Sequence, residues 1–350
     1  MLNFVVKCII KWKEKQIIFN MSNRTVAMVT GANGFVGSHL VDLLIDKNYT
    51  VRCITRKSSS LKWLEGKDVE IYDCGLSDKE GLRKAFNGAE YVYHVAGVVK
   101  SKTPEGYFKG NVDTTQTLLD VSLEFKSAIK KFLIVSSQTA VGPSLNGKPV
   151  DESSVCNPIT TYGKSKLAEE QLAISYMDKL PITICRAPAI YGERDTEIFI
   201  FFQTFNKGLM TTIGFDEKKL SLLHVKDLVN GFYLAAIPEQ ANGQVYFISS
   251  EKYYTWEEVG KYTAEVLNKK PIRIKIPHTA VYSIAAVAQF FAMFSSKPAT
   301  LNIEKARDIT QHSWTCDTSK AVKELGYKQN ISIEEGIRRT CNWYKEMKWI

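Results

Sequence analysis

The chain has 350 residues, enough for two domains and a large buried core. Its apolar fraction of 45% and charged fraction of 24% are those of a globular protein, and no repeat or low-complexity tract interrupts it. The net charge of +9 is diffuse, with no block of five or six like charges, which argues against nucleic acid and leaves an anionic cofactor or an anionic membrane surface as partners.

The 7 cysteines are odd in number and none has C-x-x-C spacing. This points to reduced thiols in a cytoplasmic setting and to no metal site. Residues 1–20 mix apolar positions with Lys7, Lys11, Lys13 and Lys15. A secretory signal would have a longer uncharged core than Leu2–Val6, with basic residues ahead of it. Met21 makes a natural start, so residues 1–20 are expected to be an upstream extension or a weak amphipathic anchor outside the fold.

Val26–Val29 is a short apolar run suited to a strand buried on both faces of a parallel sheet. Gly31, Gly34 and Gly37 follow at a spacing of three, and then Leu40, Val41, Leu43 and Leu44 recur at helical spacing. A tight strand-to-helix turn uses backbone angles that glycine adopts cheaply, and a glycine there lets a pyrophosphate approach the main chain. The helix N-terminus offers that anion free N–H groups and a partial positive charge. Gly31, Gly34, Phe35 and Val36 are the expected contacts.

This spacing differs from G-x-G-x-x-G. Thr30-Gly31-x-x-Gly34-Phe35-x-Gly37 resembles the T-G-x-x-G-F-x-G of the extended short-chain dehydrogenase/reductase family, the NAD-dependent epimerases and dehydratases. The resemblance implies an α/β fold: a Rossmann-type doubly wound parallel sheet with a smaller, interleaved C-terminal substrate domain. The cofactor domain is expected over residues 21–188 plus 221–250, and the substrate domain over 189–220 plus 251–350.

Thr50–Thr55 reads as the second strand. Arg56, Lys57 and Lys62 follow, with no carboxylate until Glu65. An acidic residue here would select NAD, whereas basic residues suit a 2′-phosphate. The expected cofactor is therefore NADP, with NAD second; the alternative is a solvated basic loop. Val69–Tyr72 is a third strand. The family's adenine-contacting Asp is replaced by Cys74 here, with Asp73 or Asp78 as substitutes. Ala89–Val98 is a fourth strand, whose Ala96 and Gly97 would pass close under the cofactor. His94 reads as a core histidine before a catalytic base. Asn111, in a run similar to the family's N-V-x-G-T, would bind backbone or a water.

Lys131–Ser137 is a fifth strand ending in two serines at the edge where such sheets bind ligands. The family's catalytic Ser or Thr sits here; Ser137 is chosen, with Ser136 and Thr139 open. Tyr162 and Lys166 lie four apart at the start of a helix and so share a face. A second Y-x-x-x-K match, Tyr344 to Lys348, has no sheet after it. Ile182–Ala187 is a sixth strand. The following Arg186-Ala-Pro188-Ala-Ile-Tyr191-Gly192 resembles the family's R-P-x-x-x-Y-G with one residue inserted, and Pro188 would border the nicotinamide. Ser221–Val225 reads as a further strand, Asp227 as a helix N-cap, His224 as structural, and Val245–Ser249 as the strand that closes the sheet.

Phe199, Phe201, Phe202 and Phe205 are expected to line the substrate site. Residues 279–296 carry no charge. They read as a lid helix, a membrane-surface contact or, least readily, a span. The run is most similar to the dihydroflavonol reductase and 3β-hydroxysteroid dehydrogenase-like branches. The family implies hydride transfer between a nicotinamide and a carbonyl or secondary alcohol, with Tyr162 as acid/base, Ser137 on the substrate oxygen, and Lys166 on the ribose and lowering the Tyr162 pKa. A sugar-nucleotide epimerase is the alternative, and a non-catalytic cofactor-sensing module a second one. A small-molecule substrate and a homodimer complete the expectation.

Overall fold

A computed structural model of the chain describes residues 24–295 and 299–350. The expected extension over residues 1–20, the start at Met21, and the last residue of the 279–296 run lie outside the described residues. The first part of the chain forms β1 (Val26–Thr30), α1 (Phe35–Asp46), β2 (Thr50–Ile54), β3 (Val69–Tyr72), α2 (Lys79–Phe86), β4 (Tyr91–His94), α3 (Pro104–Phe108), α4 (Thr114–Leu123), β5 (Lys131–Ser137), α5 (Thr161–Ile174) and β6 (Ile182–Ala187). The second part adds β7 (Ala189–Tyr191), α6 (Phe199–Asn206), β8 (Leu209–Ile213), β9 (Lys219–His224), α7 (Val225–Ala236), β10 (Val245–Phe247), β11 (Tyr253–Thr255), α8 (Trp256–Leu267), β12 (Ile272–Ile276), α9 (His278–Ala292), α10 (Ile303–Ile309), β13 (Ser313–Trp314), α11 (Ser319–Leu325) and α12 (Ile333–Glu346).

Seven strands form one sheet in the order β10-β6-β5-β4-β1-β2-β3, every pair parallel. The order reverses between β1 and β4, so the carboxyl ends of these strands border a crevice. Successive side chains of a strand point to opposite faces. Ala27 and Val29 therefore pack on Leu40, Val41 and Leu44 of α1 and on Leu228 and Phe232 of α7. Met28, between them, packs on the other face with Leu82, Leu118 and Ala173 of α2, α4 and α5. The near-continuous apolar run of β1 is what two covered faces require.

A smaller body holds a four-stranded sheet, in which β9 pairs β7, β11 and β13. The expected strand at Ser221–Val225 thus exists but joins this sheet, while the helix after it, α7, returns to the large one. The chain crosses between the two bodies because β6 runs straight into β7 through Pro188. Asp227 is not the cap of α7: His224 accepts the Lys226 N–H there, and the Asp227 carboxylate accepts from Asn330 and Ile331 N–H instead. The fourth strand ends at His94, four residues short of the expected end, because Val95–Val98 turn away as an irregular loop under the crevice.

Candidate active site

The glycine turn has the shape a pyrophosphate needs. Gly31 has φ +67°, and a Cβ there would lie 2.8 Å from Ala96 N. A Cβ at Gly37 would come within 2.1 Å of Gly31 O, so α1 packs directly on the turn. Gly34 caps α1 with no side-chain hydrogen bond and no acid in the first turn. The N–H groups at the helix start are left free to face an anion. The residues present fit a dinucleotide cofactor.

The basic loop is less uniform. Arg56 and Lys57 are exposed just beyond β2, with Arg56 bridged to Cys74. Lys62 sits over the Trp63 ring at 4.5 Å, a packing role the sequence reading did not assign it. Of the acids suggested for adenine, Asp78 caps α2 by accepting the Gly81 N–H.

Ser137, Tyr162 and Lys166 converge at the carboxyl end of β5. Thr160 caps α5 by accepting the Gly163 N–H at 3.1 Å. A Cβ at Gly163 would lie 2.3 Å from Thr139 O, so this glycine lets α5 start against the strand end. Ser137 Oγ accepts from Thr139 N and Oγ1, which leaves its own hydrogen for the Tyr162 phenol. Lys166 Nζ donates to Val135 O at 2.8 Å and is ion-paired with Glu169. An ammonium has three donors. The third is left for the cavity that Lys166 lines.

A network lies behind this group. Asn111 accepts the Val98 N–H at 2.6 Å and donates to Val98 O and Ser165 Oγ, holding the loop after β4. His94 is buried between Thr30 Oγ1 and Thr115 Oγ1, both at 2.7 Å. Burial, then the Lys166 charge, lowers its pKa to about 3, so it is a neutral core histidine. The Tyr162 phenol departs from expectation. Burial pushes it up, Lys166 pulls it down, Glu169 pushes it up again, and the balance lies above an ordinary phenol. Burial lowers the Lys166 pKa, but Glu169, Tyr162 and Glu170 together hold it above the usual lysine range.

A cavity of about 440 Å³ joins these residues to Phe35, Val36, Gly97 and Pro188. Its walls are largely apolar by area, with Val95, Val99, Val135, Ile190 and Ile198 among them, and Lys100, Asp195, Glu197, Glu304, Lys305 and Asp308 also line it. Ala96 holds the turn from behind, its N–H on Thr30 Oγ1. The four phenylalanines expected here are absent from the lining. Phe202 and Phe205 are core of the smaller body; Phe199 packs on Tyr344 at 4.9 Å and Phe201 on Trp256 at 5.1 Å. Arg194 is likewise turned away, onto Ser38 Oγ and the Asp42 carboxylate.

A profile of the NAD dependent epimerase/dehydratase family matches residues 27–249. The chain belongs to this family. It is 27% identical over 328 residues to the ceramide reductase of Caulobacter vibrioides, covering 93% of this chain and 96% of that protein. It is 24% identical over 324 residues to the decarboxylating sterol-4-alpha-carboxylate 3-dehydrogenase of Dictyostelium discoideum, covering 88% and 98%. The solved UDP-glucose 4-epimerase of Thermotoga maritima, with UDP-glucose, shares the fold at a TM-score of 0.77 and 23% identity, over 93% of this chain and 100% of that one. The chain is an enzyme of the extended short-chain dehydrogenase/reductase type.

Sequence reading missed Glu169. The signal was present, since Tyr162, Lys166 and Glu169 stand at i, i+4 and i+7 and so share one helix face.

Proposed function

We propose that this epimerase/dehydratase-family enzyme moves a hydride between a nicotinamide and the carbonyl or secondary alcohol of a small, apolar substrate. The observation that carries this reading is the cavity: Ser137, Tyr162 and Lys166 stand at its inner end, its walls are mostly apolar, and among the described residues no arginine lines it. A sugar nucleotide brings a pyrophosphate, for which a planar arginine fork is the fitting clamp. That weighs against the epimerase alternative. A non-catalytic sensing module would have no use for a tyrosine, serine and lysine drawn together in this way.

The bound nicotinamide supplies or accepts the hydride at the substrate carbon. The chain does the rest. Ser137 donates to the substrate oxygen and fixes its position. Tyr162 gives that oxygen its proton as the carbon–oxygen π bond breaks, or takes it back in the oxidative direction; such help is typically worth about 10²–10⁴-fold. Lys166 would hold the nicotinamide ribose with its remaining N–H. Arg56 and Lys57 favour NADP over NAD, with Lys62 contributing charge from its seat on Trp63.

Two relatives are named for a ceramide and a sterol, so long-chain and polycyclic lipid carbonyls are the substrates to try first. Purified protein should oxidise NADPH with some of these and leave UDP-sugars unchanged. Interconversion of UDP-sugars without net cofactor consumption would sink the reading.

We include in this reading a cytoplasmic setting, supported by free thiols at Cys53, Cys74, Cys156, Cys185, Cys316 and Cys341, and a homodimer, to be weighed by light scattering. A membrane-surface role for 279–296 also belongs here. In α9, Val281 and Ala285 pack on Ala306, while Ile284, Val287 and Phe291, and Phe294 just beyond its end, are exposed. Among the described residues no helix is long and apolar enough to cross a membrane. A carbonate wash should therefore release the protein from membranes.

A further inference from the structure

Glu169 has no part in the reaction above, yet it is fully buried beside it. It stands one turn beyond Lys166 and two beyond Tyr162 on the same face of α5. One carboxylate oxygen is ion-paired with Lys166 Nζ. The other accepts from Thr115 Oγ1 at 3.0 Å and lies 3.5 Å from His94 Nε2. The donors can be assigned from the network. Ala96 N–H donates to Thr30 Oγ1, which donates to His94 Nδ1. The neutral His94 then carries its hydrogen on Nε2 and donates to Thr115 Oγ1, whose single hydrogen is shared between Asn111 O at 2.6 Å and Glu169 at 3.0 Å. Burial pushes the Glu169 carboxyl up and Lys166 pulls it down, with the balance above an ordinary carboxylate, so its charge rests on the pairing with Lys166.

We propose that Glu169 is a positioning residue: it holds Lys166 as half of a neutral ion pair, so that Tyr162 waits as a neutral phenol with its proton in place for the substrate oxygen. A lone buried ammonium beside Tyr162 would favour the phenolate, which is the form that oxidation needs. A paired one does so far less, because the opposite charge stands on the same helix face. The other groups facing the phenol do not replace this effect. Ser137 is neutral, His94 behind α5 is neutral, and Lys305 approaches from α10 on the cavity side. Glu170, the next acid on α5, is taken up by a bidentate bond to Arg186.

The proposal rests on Tyr162 as the acid/base, and the test separates the two. Tyrosinate absorbance, titrated without substrate in the parent and in Tyr162→Phe, isolates the Tyr162 titration. In Glu169→Gln, which keeps the shape and an acceptor for Lys166, that titration should fall by about one pH unit. The alkaline limb of alcohol oxidation should move down in pH with it by the same amount. Glu169→Asp keeps the charge and should stay with the parent. The double variant Lys166→Met/Glu169→Gln removes the pair as a unit and should move the titration less than Lys166→Met alone; this comparison also decides the matter should Glu169→Gln alone fail to fold. A titration unmoved in Glu169→Gln, or moved more in the double variant than in Lys166→Met, overturns the proposal. Loss of the acid/base reading would show separately, as normal turnover in Tyr162→Phe.

Discussion

Tyr162 and Tyr344 each stand four residues before a lysine, and the fold treats the two pairs in opposite ways. In α5 the helix runs unbroken through both residues, so tyrosine and lysine share a face and open on the cavity beside Ser137. In α12 the helix ends at Glu346, and Lys348 lies beyond it with φ +56°. The spacing is the same, but the shared face is gone. Tyr344 is fully buried, its hydroxyl near Gly192 O and Asp195 O and its ring stacked on Trp349 at 5.6 Å. A tyrosine–lysine spacing becomes chemistry only where a continuous helix begins at the carboxyl end of the parallel sheet. Elsewhere it is packing.

Tyr162→Phe should deepen this contrast most. The ring still packs against Tyr107, 6.3 Å away, so the fold and cofactor binding should survive. Only the transferable proton is lost, and turnover should fall by about 10²–10⁴-fold. Stopped turnover beside an unchanged cofactor dissociation constant is the expected pair of measurements. Near-normal turnover would remove the distinction between the two tyrosines.

Lys166→Ala should damage more than catalysis. It removes the ribose contact and leaves the Glu169 carboxylate buried without its cation, a change that typically costs about 3–5 kcal/mol. Denaturant unfolding should show that loss, and Lys166→Ala/Glu169→Gln should recover much of it. If the single variant is as stable as the parent, Glu169 is not charged in the folded protein.

These effects divide along the line between what could and could not be read from the chain. The glycine turn, β5, and the start of α5 are local: their meaning depends on backbone angles, helix periodicity and neighbours within a few residues. Residues 26–46, 131–137 and 161–174 were legible for that reason. The phenylalanines of 199–205 were not. Their apolar character says they are buried, but only the third dimension says whether against substrate or against Tyr344 and Trp256. Lys62 is similar, because its 6.0 Å approach to Trp349 brings together distant parts of the chain. The strand at 219–224 was legible as a strand, while its sheet depended on partners at 189–191, 253–255 and 313–314. Glu169 was within reach of periodicity, but its partners Thr115 and His94 were not.

Arg56→Ala is a smaller test on the cofactor side. Charge-assisted hydrogen bonds contribute about 1.5–3 kcal/mol, so NADPH binding should weaken by about tenfold or more while NADH binding changes little. Arg56 is exposed and its fixed neighbours are few, so stability should hold. Equal weakening of both cofactors would show that the basic loop is a solvated face.

Tyr344→Phe should have the smallest effect, and it is the control on which the comparison of the two pairs depends. The hydroxyl donates at 3.4 Å to Gly192 O and 3.3 Å to Asp195 O, both long for a hydrogen bond. Replacing such a bond should cost about 0.5–1.5 kcal/mol, toward the lower figure. The ring contacts with Phe199, Phe202 and Trp349 do not involve the oxygen and should persist. A fall in Tm of about 2–4 °C or less follows for a protein of this size. Turnover and cofactor affinity should match the parent, because Tyr344 is enclosed in the core of the smaller body, away from Ser137. Tyr344→Ala, by contrast, should cost roughly 3–5 kcal/mol, since it empties a space shared with four aromatic rings. A mild hydroxyl deletion beside a severe ring deletion is the signature of packing. If Tyr344→Phe lost turnover with the fold intact, the second pair would have a chemical role, and helix continuity would no longer separate the two.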